Sequence, residues 1–522
     1  MARLVLAAGA EARAGDTDDN GRAQPRGASQ WSSLALRALA YILLAALALA
    51  GYRRVLAVAG AYAGEPALLL WPLVLLTALC VAAVWLVLRT RPAASRAARL
   101  AELGLLLALG VVLRGAVFGT APDLSHDAYR YAWDPYLLAH GVSPYLHTPS
   151  DPALLPLRDG AIWPQLNWRT SPTIYPPGAQ AFFLLVYVVA PLNIFAVKAA
   201  MVLCDAGVAL LALVLLRRRR LDARRILIYW WSPLPVLEFA LNGHLDVVAI
   251  LLTLAALVVA EQRWRGARAA AGVLLGAATL TKLYPLLFVV ALVRPAPPLA
   301  DGQPHARWRR ATLSLRQNAD FLVALMGTLV AGYLPFAVAG LSSTGFLGTY
   351  LSQRFGDQGI VSQVLAALAG RVGGSTVTLA LLQLAALAGL CAAVVWWRGR
   401  RPLRPEASVL ALSAVWLALS PHLYPWYVAA LLPLLALYLR LPKRTPMHAG
   451  EAAPRASALA LALWLFVLAL PFSYVIFAPG GPRGLFSLSS LVPLALVALA
   501  YGATLARRLA VASRRIIAAL PA

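Results

Sequence analysis

Long apolar segments, separated by short basic ones, run along almost the whole chain. About 20 apolar residues are enough for one helical crossing of a bilayer. Segments of that kind are 33–51, 67–88, 99–118, 194–216, 226–241, 244–260, 320–339, 376–397, 407–420, 426–440, 457–477 and 485–506. The pattern predicts an all-α polytopic membrane protein, because a transmembrane barrel would show only weak alternation over strands of about ten residues.

Two further apolar segments are ambiguous, 174–190 and 269–293. Lys282-Leu-Tyr-Pro285 interrupts the second, and proline lacks the backbone N–H that a helix needs. We expect 269–293 to enter the membrane and return as a broken hairpin, and 174–190 to lie along the membrane or re-enter it. The total is then about 12–14 transmembrane helices.

Basic residues set the expected orientation, because cytoplasmic loops carry an excess of Lys and Arg. The basic tracts are 89–99, 217–225, 263–268, 294–316, 398–404, 440–455 and 507–515. If all of them are cytoplasmic, both termini are cytoplasmic too. Several polar clusters then share the opposite face, namely 119–173, 241–246, 282–284, 340–375 and 420–427. Clusters so distant in sequence on one face suggest a shared cavity.

The predicted organisation follows from these boundaries. We expect a disordered cytoplasmic tail at 1–32, two additional transmembrane helices in 33–98, and a central module at 99–295 with a large outer loop at 119–173. A cytoplasmic basic loop at 296–319 precedes the C-terminal transmembrane helices of 320–506, which carry an outer loop at 340–375 with an amphipathic helix at 349–368. A cytoplasmic tail at 507–522 ends the chain.

Composition agrees with a membrane protein. The chain is 61% hydrophobic and 13% charged, whereas soluble domains carry about 25% charged residues. The net charge is +25, but the basic residues flank apolar spans, which indicates membrane orientation and not nucleic acid as a partner. The three cysteines, Cys80, Cys204 and Cys391, lie inside predicted spans and match no metal-ligand spacing.

The outer loop 119–173 carries the densest candidate chemistry. Asp127 lies just past a span among aromatic residues, so partial desolvation would make it a fair general base toward a hydroxyl. The alternative is a solvated loop aspartate or a helix cap. Asp123, His126 and Asp127 together would also be possible ligands of a divalent metal ion.

Charged residues inside apolar runs are functional hypotheses by default. Lys282 could bind a phosphate as a point charge, or extend to the membrane surface. Asp205 also lies inside an apolar run, where a charge is energetically costly, and could instead have a structural role as the partner of Lys198.

Other candidates lie at the outer ends of spans. His244 and Asp246 belong either to the site or to a helix start. Aromatic residues beside proline, at Tyr175 and at Tyr424 and Trp426, are typical of an interfacial belt or of a platform for a sugar ring. The chain has no Walker A loop, GxGxxG, HExxH or CxxC motif, so the sequence shows no motif for nucleotide-dependent chemistry.

An ordered series of motifs resembles the GT-C glycosyltransferases. The series is Asp127-Ala-Tyr-Arg-Tyr-Ala-Trp-Asp134, Gly141-Val-Ser-Pro-Tyr145, Tyr175-Pro-Pro177, Trp231-Ser-Pro233, Asn242-Gly-His-Leu-Asp246 and Lys282-Leu-Tyr-Pro285. It resembles bacterial polyprenol-phosphate-mannose-dependent mannosyltransferases and glycosylphosphatidylinositol mannosyltransferase I. The resemblance covers about 99–295, which would be the GT-C-like catalytic module.

The resemblance implies inverting transfer of a hexose, mannose above all, from a polyprenyl-phosphate donor to a hydroxyl of a lipid or glycan acceptor. Asp127 would be the base, although many relatives carry a second acid where this chain has Ser125 and His126. Lys282 and Arg130 would bind the donor phosphate. Sugar or acceptor contacts would come from Tyr129, Trp133, Tyr145, Tyr175, His244, Asp246, Tyr424 and Trp426.

The expected location is the bacterial inner membrane, with the active site facing the periplasm or exterior. A polyprenyl-phosphate sugar is half membrane-soluble, which fits a site at the membrane surface. The alternative functions are a transporter or flippase of lipid-linked sugars, and a structural subunit of an envelope assembly. A transporter should place its polar residues near the membrane midplane, whereas these cluster at one face.

Overall fold

The computed structural model describes residues 26–60, 65–295, 306–338, 376–400, 404–420, 423–441 and 455–476, together with Gly345 and Leu365 alone. Within these ranges the chain is helical or irregular and contains no strand, so the all-α class is confirmed. Outside them lie the span expected at 485–506, the tail at 507–522 and, apart from Leu365, the amphipathic helix expected at 349–368.

The N-terminal half begins with long helices and then an irregular outer loop. The α-helices are α1 Arg26–Ala59, α2 Leu70–Arg89, α3 Arg96–Phe118, α4 Asp127–Ala139, α5 Pro177–Val189 and α6 Ile194–Arg218. Short 3₁₀ helices lie at Pro66–Leu69, Pro152–Leu157 and Trp163–Gln165. Most of the outer loop between α4 and α5 therefore has no regular structure, and its prolines account for this.

The second half is more broken. Its α-helices are α7 Leu227–Trp230, α8 Pro233–Pro235, α9 Asp246–Ala260, α10 Ala267–Thr281, α11 Val289–Leu292, α12 Ala306–Val338, α13 Thr376–Arg400, α14 Pro405–Leu419, α15 Pro425–Val428, α16 Leu432–Tyr438, α17 Arg455–Ala469 and α18 Ser473–Ile476. Val236–Leu241 is a π-helix. Further 3₁₀ helices lie at Ala223–Ile226, Tyr284–Phe288, Ala429–Leu431 and Leu470–Phe472.

In the described part, six helices are long and apolar enough to cross a membrane, or up to seven if one bent pair counts as a span. The bent pair joins Pro233–Leu241 to Asp246–Ala260 at an angle of 116°. The prediction of one continuous span at 226–241 is therefore wrong. Ser232-Pro233 and Pro235 divide that segment into short pieces, since proline removes backbone donors that a long helix requires.

Two other boundaries differ from the prediction, whereas the short helix within 174–190 and the break at Lys282 agree with it. Helix α1 begins at Arg26, inside the expected tail, and α12 begins at Ala306, inside the expected basic loop. Helix α5 has 13 residues, about 20 Å at 1.5 Å per residue, which is too short to cross a bilayer alone. The break predicted at Lys282 is present, because α10 ends at Thr281 and Lys282 has extended backbone.

Glycines allow the helices to pack closely around the site. Helix α10 lies against α12, and a Cβ added at Gly276 would lie 2.7 Å from the Cβ of Thr328. In α3, a Cβ at Gly110 would overlap the indole of Trp230, which also stacks on the Arg114 guanidinium. These contacts fix α3 and α10, which lead into the outer loop and to Lys282.

The buried charges of α6 have partners other than those expected. Asp205 contacts the Arg114 guanidinium and accepts a hydrogen bond from the Tyr229 hydroxyl. Lys198 Nζ instead donates to the carbonyl oxygen of Phe118 at 2.7 Å, and the side chain is fully buried. The predicted Lys198–Asp205 pair is therefore wrong. Both residues are satisfied by neighbours from α3 and the segments beside it.

The two ends of α6 differ in character. At its C-terminal end, Arg219 Nη2 lies 2.6 Å from Glu261 Oε1 and also contacts Glu406, so basic tracts of three elements meet there. At its N-terminal end, Lys198 lies beside Gly243 in the turn between Leu241 and Asp246. Because α6 has 25 residues, about 37 Å, the basic end and the 242–245 turn lie on opposite sides of the membrane-spanning layer.

Candidate active site

A cavity of about 540 Å³ opens at the end of the helices where the polar clusters meet. Its walls come from the start of α4, the end of the outer loop, the broken segment after α10, and the start of α15. The lining residues are Ala59, Gly60, Asp123, Leu124, Ser125, His126, Asp127, Arg130, Asn167, Trp168, Ser171, Pro172, Thr173, Ile174, Tyr175, Lys282, Tyr424, Trp426 and Tyr427. Three of the five predicted clusters, 119–173, 282–284 and 420–427, thus share one cavity. The cluster 241–246 does not line it, and 340–375 lies outside the described residues apart from Gly345 and Leu365.

Asp127 is the first residue of α4 and lies on the cavity wall. Its Oδ1 accepts a hydrogen bond of 2.6 Å from Asn167 Nδ2, and 22% of the side chain is exposed. Burial raises the pKa of this carboxyl, while the Asn167 hydrogen bond, Lys282 and Arg130 oppose that rise. A carboxylate that is positioned, partly desolvated and open to a cavity has the properties of a general base.

Lys282 reaches the same cavity from the break after α10. Its Nζ lies 3.2 Å from Asp246 Oδ2 and faces two aromatic rings, Tyr427 at 5.3 Å and Tyr175 at 5.7 Å. The extended backbone at Lys282 turns the side chain out of the helical row and toward the opening. A cation held by one carboxylate and two rings, and still 16% exposed, can accept an anionic ligand.

Arg130 also lines the cavity, but its guanidinium is already engaged. Its Nε lies 3.1 Å from Asp134 Oδ1, and its Nη1 donates to the carbonyl oxygen of Ser171 at 3.1 Å. Gln180 donates to the other carboxylate oxygen of Asp134 at 3.1 Å. Since Arg130 and Asp134 are both buried, this pair fixes the end of the outer loop to α4 and α5.

Aromatic residues form another part of the cavity wall. Tyr424 and Trp426 stack with ring centroids 4.6 Å apart and an interplanar angle of 7°. The Trp426 ring in turn stacks on His244 at 3.8 Å and 16°. Tyr175 and Tyr427 flank Lys282. The backbone at Tyr424 is extended and Pro425 begins α15, so a short turn presents these rings to the cavity.

A second layer of polar residues lies behind the wall. The fully buried His244 places Nδ1 3.9 Å from Asp127 Oδ2 and Nε2 3.3 Å from Glu238 Oε2. Glu238 accepts hydrogen bonds from the Tyr474 hydroxyl at 3.0 Å and from Asn242 Nδ2 at 3.4 Å. His244 and Asp246 therefore do not line the cavity. They support residues that do.

Three aromatic residues of the predicted binding set lie elsewhere. Tyr129 and Trp133 are buried, Trp133 completely, and neither lines the cavity. Tyr145 is also buried, and its hydroxyl donates to the carbonyl oxygen of Tyr175 at 2.7 Å. Their predicted contact with sugar or acceptor disagrees with this placement. Helix α4 turns one face to the cavity, and these rings belong to the packed loop core.

The predicted metal cluster does not form. Across the described residues, no three His, Cys, Asp or Glu side chains come together in a way that could hold a metal ion. Asp123, His126 and Asp127 all line the cavity, but His126 Nδ1 donates a hydrogen bond to the carbonyl oxygen of Gln165 at 2.8 Å. Asp127 is directed toward Asn167 instead.

Several residues of the site were not predicted. Asn167, which holds Asp127, lies in a loop with no motif around it, and Glu238 and Tyr474 are single polar residues in apolar runs. An acidic residue inside an apolar run is costly, so Glu238 did carry a usable signal. Asn167 carried none, because its role depends on a contact 40 residues away in the chain.

Two protein-family models match the chain. The model described as Glycosyltransferase family 87 matches residues 173–421. The model described as the N-terminal domain of alpha-(1->6)-mannopyranosyltransferases, of the MptA/B family, matches residues 32–296, more than half of the chain. The chain belongs to the MptA/B family. Both models describe glycosyltransferases, so the recognition of a membrane glycosyltransferase is confirmed.

The MptA/B match includes Asp127, His244 and Lys282, and it begins with α1, so the two N-terminal helices belong to the matched domain. No curated protein matches the chain. Among solved structures, the chain is similar to the crystal structure of ArnT from Cupriavidus metallidurans bound to undecaprenyl phosphate. That likeness has 17% identity over 76% of each chain and a TM-score of 0.39, and so decides nothing about the site.

Proposed function

We propose that this MptA/B family member transfers mannose from a polyprenyl-phosphate-linked donor to an acceptor hydroxyl, with inversion at the sugar carbon. The family description names alpha-(1->6) mannosyl transfer, which supports mannose as the sugar and a 6-hydroxyl as the acceptor group. The observation that carries the proposal is the presence of Asp127 and Lys282 on the wall of one cavity. A base and a phosphate-binding cation are the two groups that this reaction requires.

The donor phosphate is assigned to Lys282. The ammonium lines the cavity and lies beside the rings of Tyr175 and Tyr427. As the C1–O bond breaks, negative charge grows on the leaving polyprenyl phosphate, and a fixed cation in a partly dry site stabilises that charge. Arg130 is a weaker candidate, because Asp134 already occupies its guanidinium.

Asp127 is assigned as the general base. Its carboxylate takes the proton of the acceptor hydroxyl while the acceptor oxygen forms the new bond to C1 of the mannose. The bond from C1 to the phosphate oxygen breaks in the same step, and the polyprenyl phosphate leaves with its electron pair. The proton ends on Asp127. Tyr424 and Trp426 line the same cavity and offer aromatic surface to the sugar.

The proposed location is the bacterial inner membrane, with the cavity facing the periplasm. Arg219 supports this orientation, because it contacts Glu261 and Glu406, which adjoin the basic tracts 263–268 and 398–404, at the far end of α6 from the 242–245 turn. A lipid-linked donor then reaches the cavity from the bilayer, while a glycan acceptor reaches it from the aqueous side.

The direct test is transfer by the purified protein. The donor is a radiolabelled polyprenyl-phosphate mannose, and the acceptor is octyl α-mannoside. The expected product is a disaccharide whose new bond is to the 6-hydroxyl, with no nucleotide added. A protein that moves the intact donor across a liposome bilayer and forms no disaccharide would be a flippase, and the proposal would be wrong.

A further inference from the structure

The two carboxylate oxygens of Asp127 have different neighbours. Oδ1 is fixed by the Asn167 amide at 2.6 Å. Oδ2 faces His244 Nδ1 at 3.9 Å, a separation that a small rotation of the Asp127 side chain or one bridging water closes. His244 is therefore the buried group that can set the direction of the second oxygen.

The His244 ring is itself held firmly. Its backbone N–H donates to the carbonyl oxygen of Glu238 at 2.8 Å, and its Nε2 lies 3.3 Å from the Glu238 carboxylate. One ring face stacks on Trp426 at 3.8 Å. The fully buried imidazole thus lies against an indole and between two carboxyl groups, with Nδ1 toward Asp127 and Nε2 toward Glu238.

The backbone explains why these groups meet. Val236–Leu241 is a π-helix, a form that is rare and frequent at functional sites. Gly243 follows with φ of +70°, a conformation that side chains other than glycine rarely adopt. This local break folds His244 back over Glu238, so the two residues form a unit. Tyr474, from α18, binds the same carboxylate at 3.0 Å and anchors it from outside the matched family domain.

We propose that His244 is a positioning residue that donates from Nδ1 to Asp127 Oδ2, and that Glu238, as the neutral acid, donates to Nε2 and holds the imidazole in the tautomer this requires. The inference rests on the proposed function, because it gives Asp127 the role of base. It adds two residues to the site that touch neither donor nor acceptor. Their contribution is to keep the carboxylate aimed at the acceptor hydroxyl.

Two substitutions of His244 separate positioning from packing. The amide nitrogen of asparagine lies near the position of Nδ1, and that of glutamine near the position of Nε2. Both substitutions remove the ring that stacks on Trp426. We expect His244→Asn to retain transfer within about fivefold and His244→Gln to lose about 10- to 100-fold in kcat, the range for a misplaced catalytic group. The KM for polyprenyl-phosphate mannose should change little in both variants.

Glu238→Gln keeps the shape of the second residue and gives an independent reading if a His244 variant does not fold. It should lower kcat about five- to tenfold with the donor KM unchanged, since no single atom of glutamine can both accept from Asn242 and donate to His244 Nε2, as Glu238 Oε2 can. Folding of each variant is checked by its thermal unfolding midpoint in detergent.

The outcomes distinguish this inference from the function it rests on. Equal kcat losses for His244→Asn and His244→Gln, or a loss seen mainly in KM, would overturn the positioning role while Asp127→Asn still abolished transfer. Wild-type activity in both Glu238→Gln and His244→Gln would do the same. If the wild-type protein makes no disaccharide, or Asp127→Asn remains fully active, the proposed function itself fails.

Discussion

Lys282 Nζ lies 3.2 Å from Asp246 Oδ2, with the lysine on the cavity wall and the aspartate buried behind it. The lysine therefore has a structural partner and an exposed side at the same time. Replacing it affects both roles, because an unpaired buried carboxylate destabilises the fold while a missing cation weakens donor binding.

A double substitution separates the two roles. Lys282→Met should lower the unfolding midpoint and weaken donor binding by about 1.5–3 kcal/mol, the range for a hydrogen bond to a charged group. Adding Asp246→Asn should restore most of the stability, since no unpaired charge remains, but not the donor binding. Donor titration and thermal unfolding of both variants measure this. Recovery of donor binding in the double variant would show that Lys282 does not contact the phosphate.

The pH dependence of transfer should report the environment of Asp127. Burial raises the pKa of its carboxyl, and a base works only when ionised, so kcat/KM should fall with decreasing pH at a value above the ordinary Asp pKa of about 3.9. Asn167→Ala removes a hydrogen bond that favours the ionised form. The acidic limb of the kcat/KM profile should then move to higher pH. A shift to lower pH would contradict this assignment.

Arg130 and Lys282 should respond differently to substitution. Arg130→Met leaves the fully buried Asp134 without its cation, which should cost about 3–5 kcal/mol of stability. The main effect should be on the unfolding midpoint of purified protein and on yield, with donor binding by the folded fraction changed little. A stable Arg130→Met protein with poor donor affinity would instead place Arg130 at the phosphate.

Two glycines of α3 form a matched test of the packing. Gly110→Ala places a methyl group against the Trp230 indole and should destabilise the protein by about 1–3 kcal/mol. Gly115→Ala, one turn and a half further on, meets no atom within 4 Å and should be neutral or slightly stabilising. The comparison of their unfolding midpoints checks whether α3 and α7 pack as described. Equal midpoints would mean that they do not.

The sequence predicted the class of fold and the face that carries the site, because hydrophobic length and basic flanks are direct consequences of the bilayer. It also predicted the break at Lys282, where proline and a charge coincide. It did not predict the interruption of 226–241, although Pro233 and Pro235 were visible there. The high hydropathy of 226–241 suggested a membrane span, but the segment is hydrophobic because it is buried within the protein, and it is divided into several short helices.

Within the site, the sequence identified charged residues in an unusual apolar setting. It missed residues whose role depends only on a contact made in the folded structure. Asp127 and Lys282 both line the cavity. The sequence identified them because charged residues inside or beside an apolar run usually have a function. Tyr129 and Trp133 were included because they neighbour Asp127 in sequence, but a helix turns adjacent residues to different sides. Asn167 could come only from the folded structure.

The central claim is that Asp127 is the base, and Asp134 provides its matched control. Asp134 lies in the same helix, seven residues on, but it is fully buried with Arg130 and does not line the cavity. Asp127→Asn should fold normally or with a slightly higher unfolding midpoint. The reason is that ionising a partly buried carboxyl whose pKa is raised in the folded state lowers the folding stability at neutral pH. Asp134→Asn should affect stability more than chemistry.

The deciding measurement is the single-turnover rate of mannose transfer from polyprenyl-phosphate mannose to octyl α-mannoside by purified Asp127→Asn protein saturated with donor. We predict a rate about 10²–10⁴ lower than that of the wild type, the usual contribution of a general base, with unchanged donor affinity. A near-normal rate for Asp127→Asn would contradict the account, whatever the other variants show.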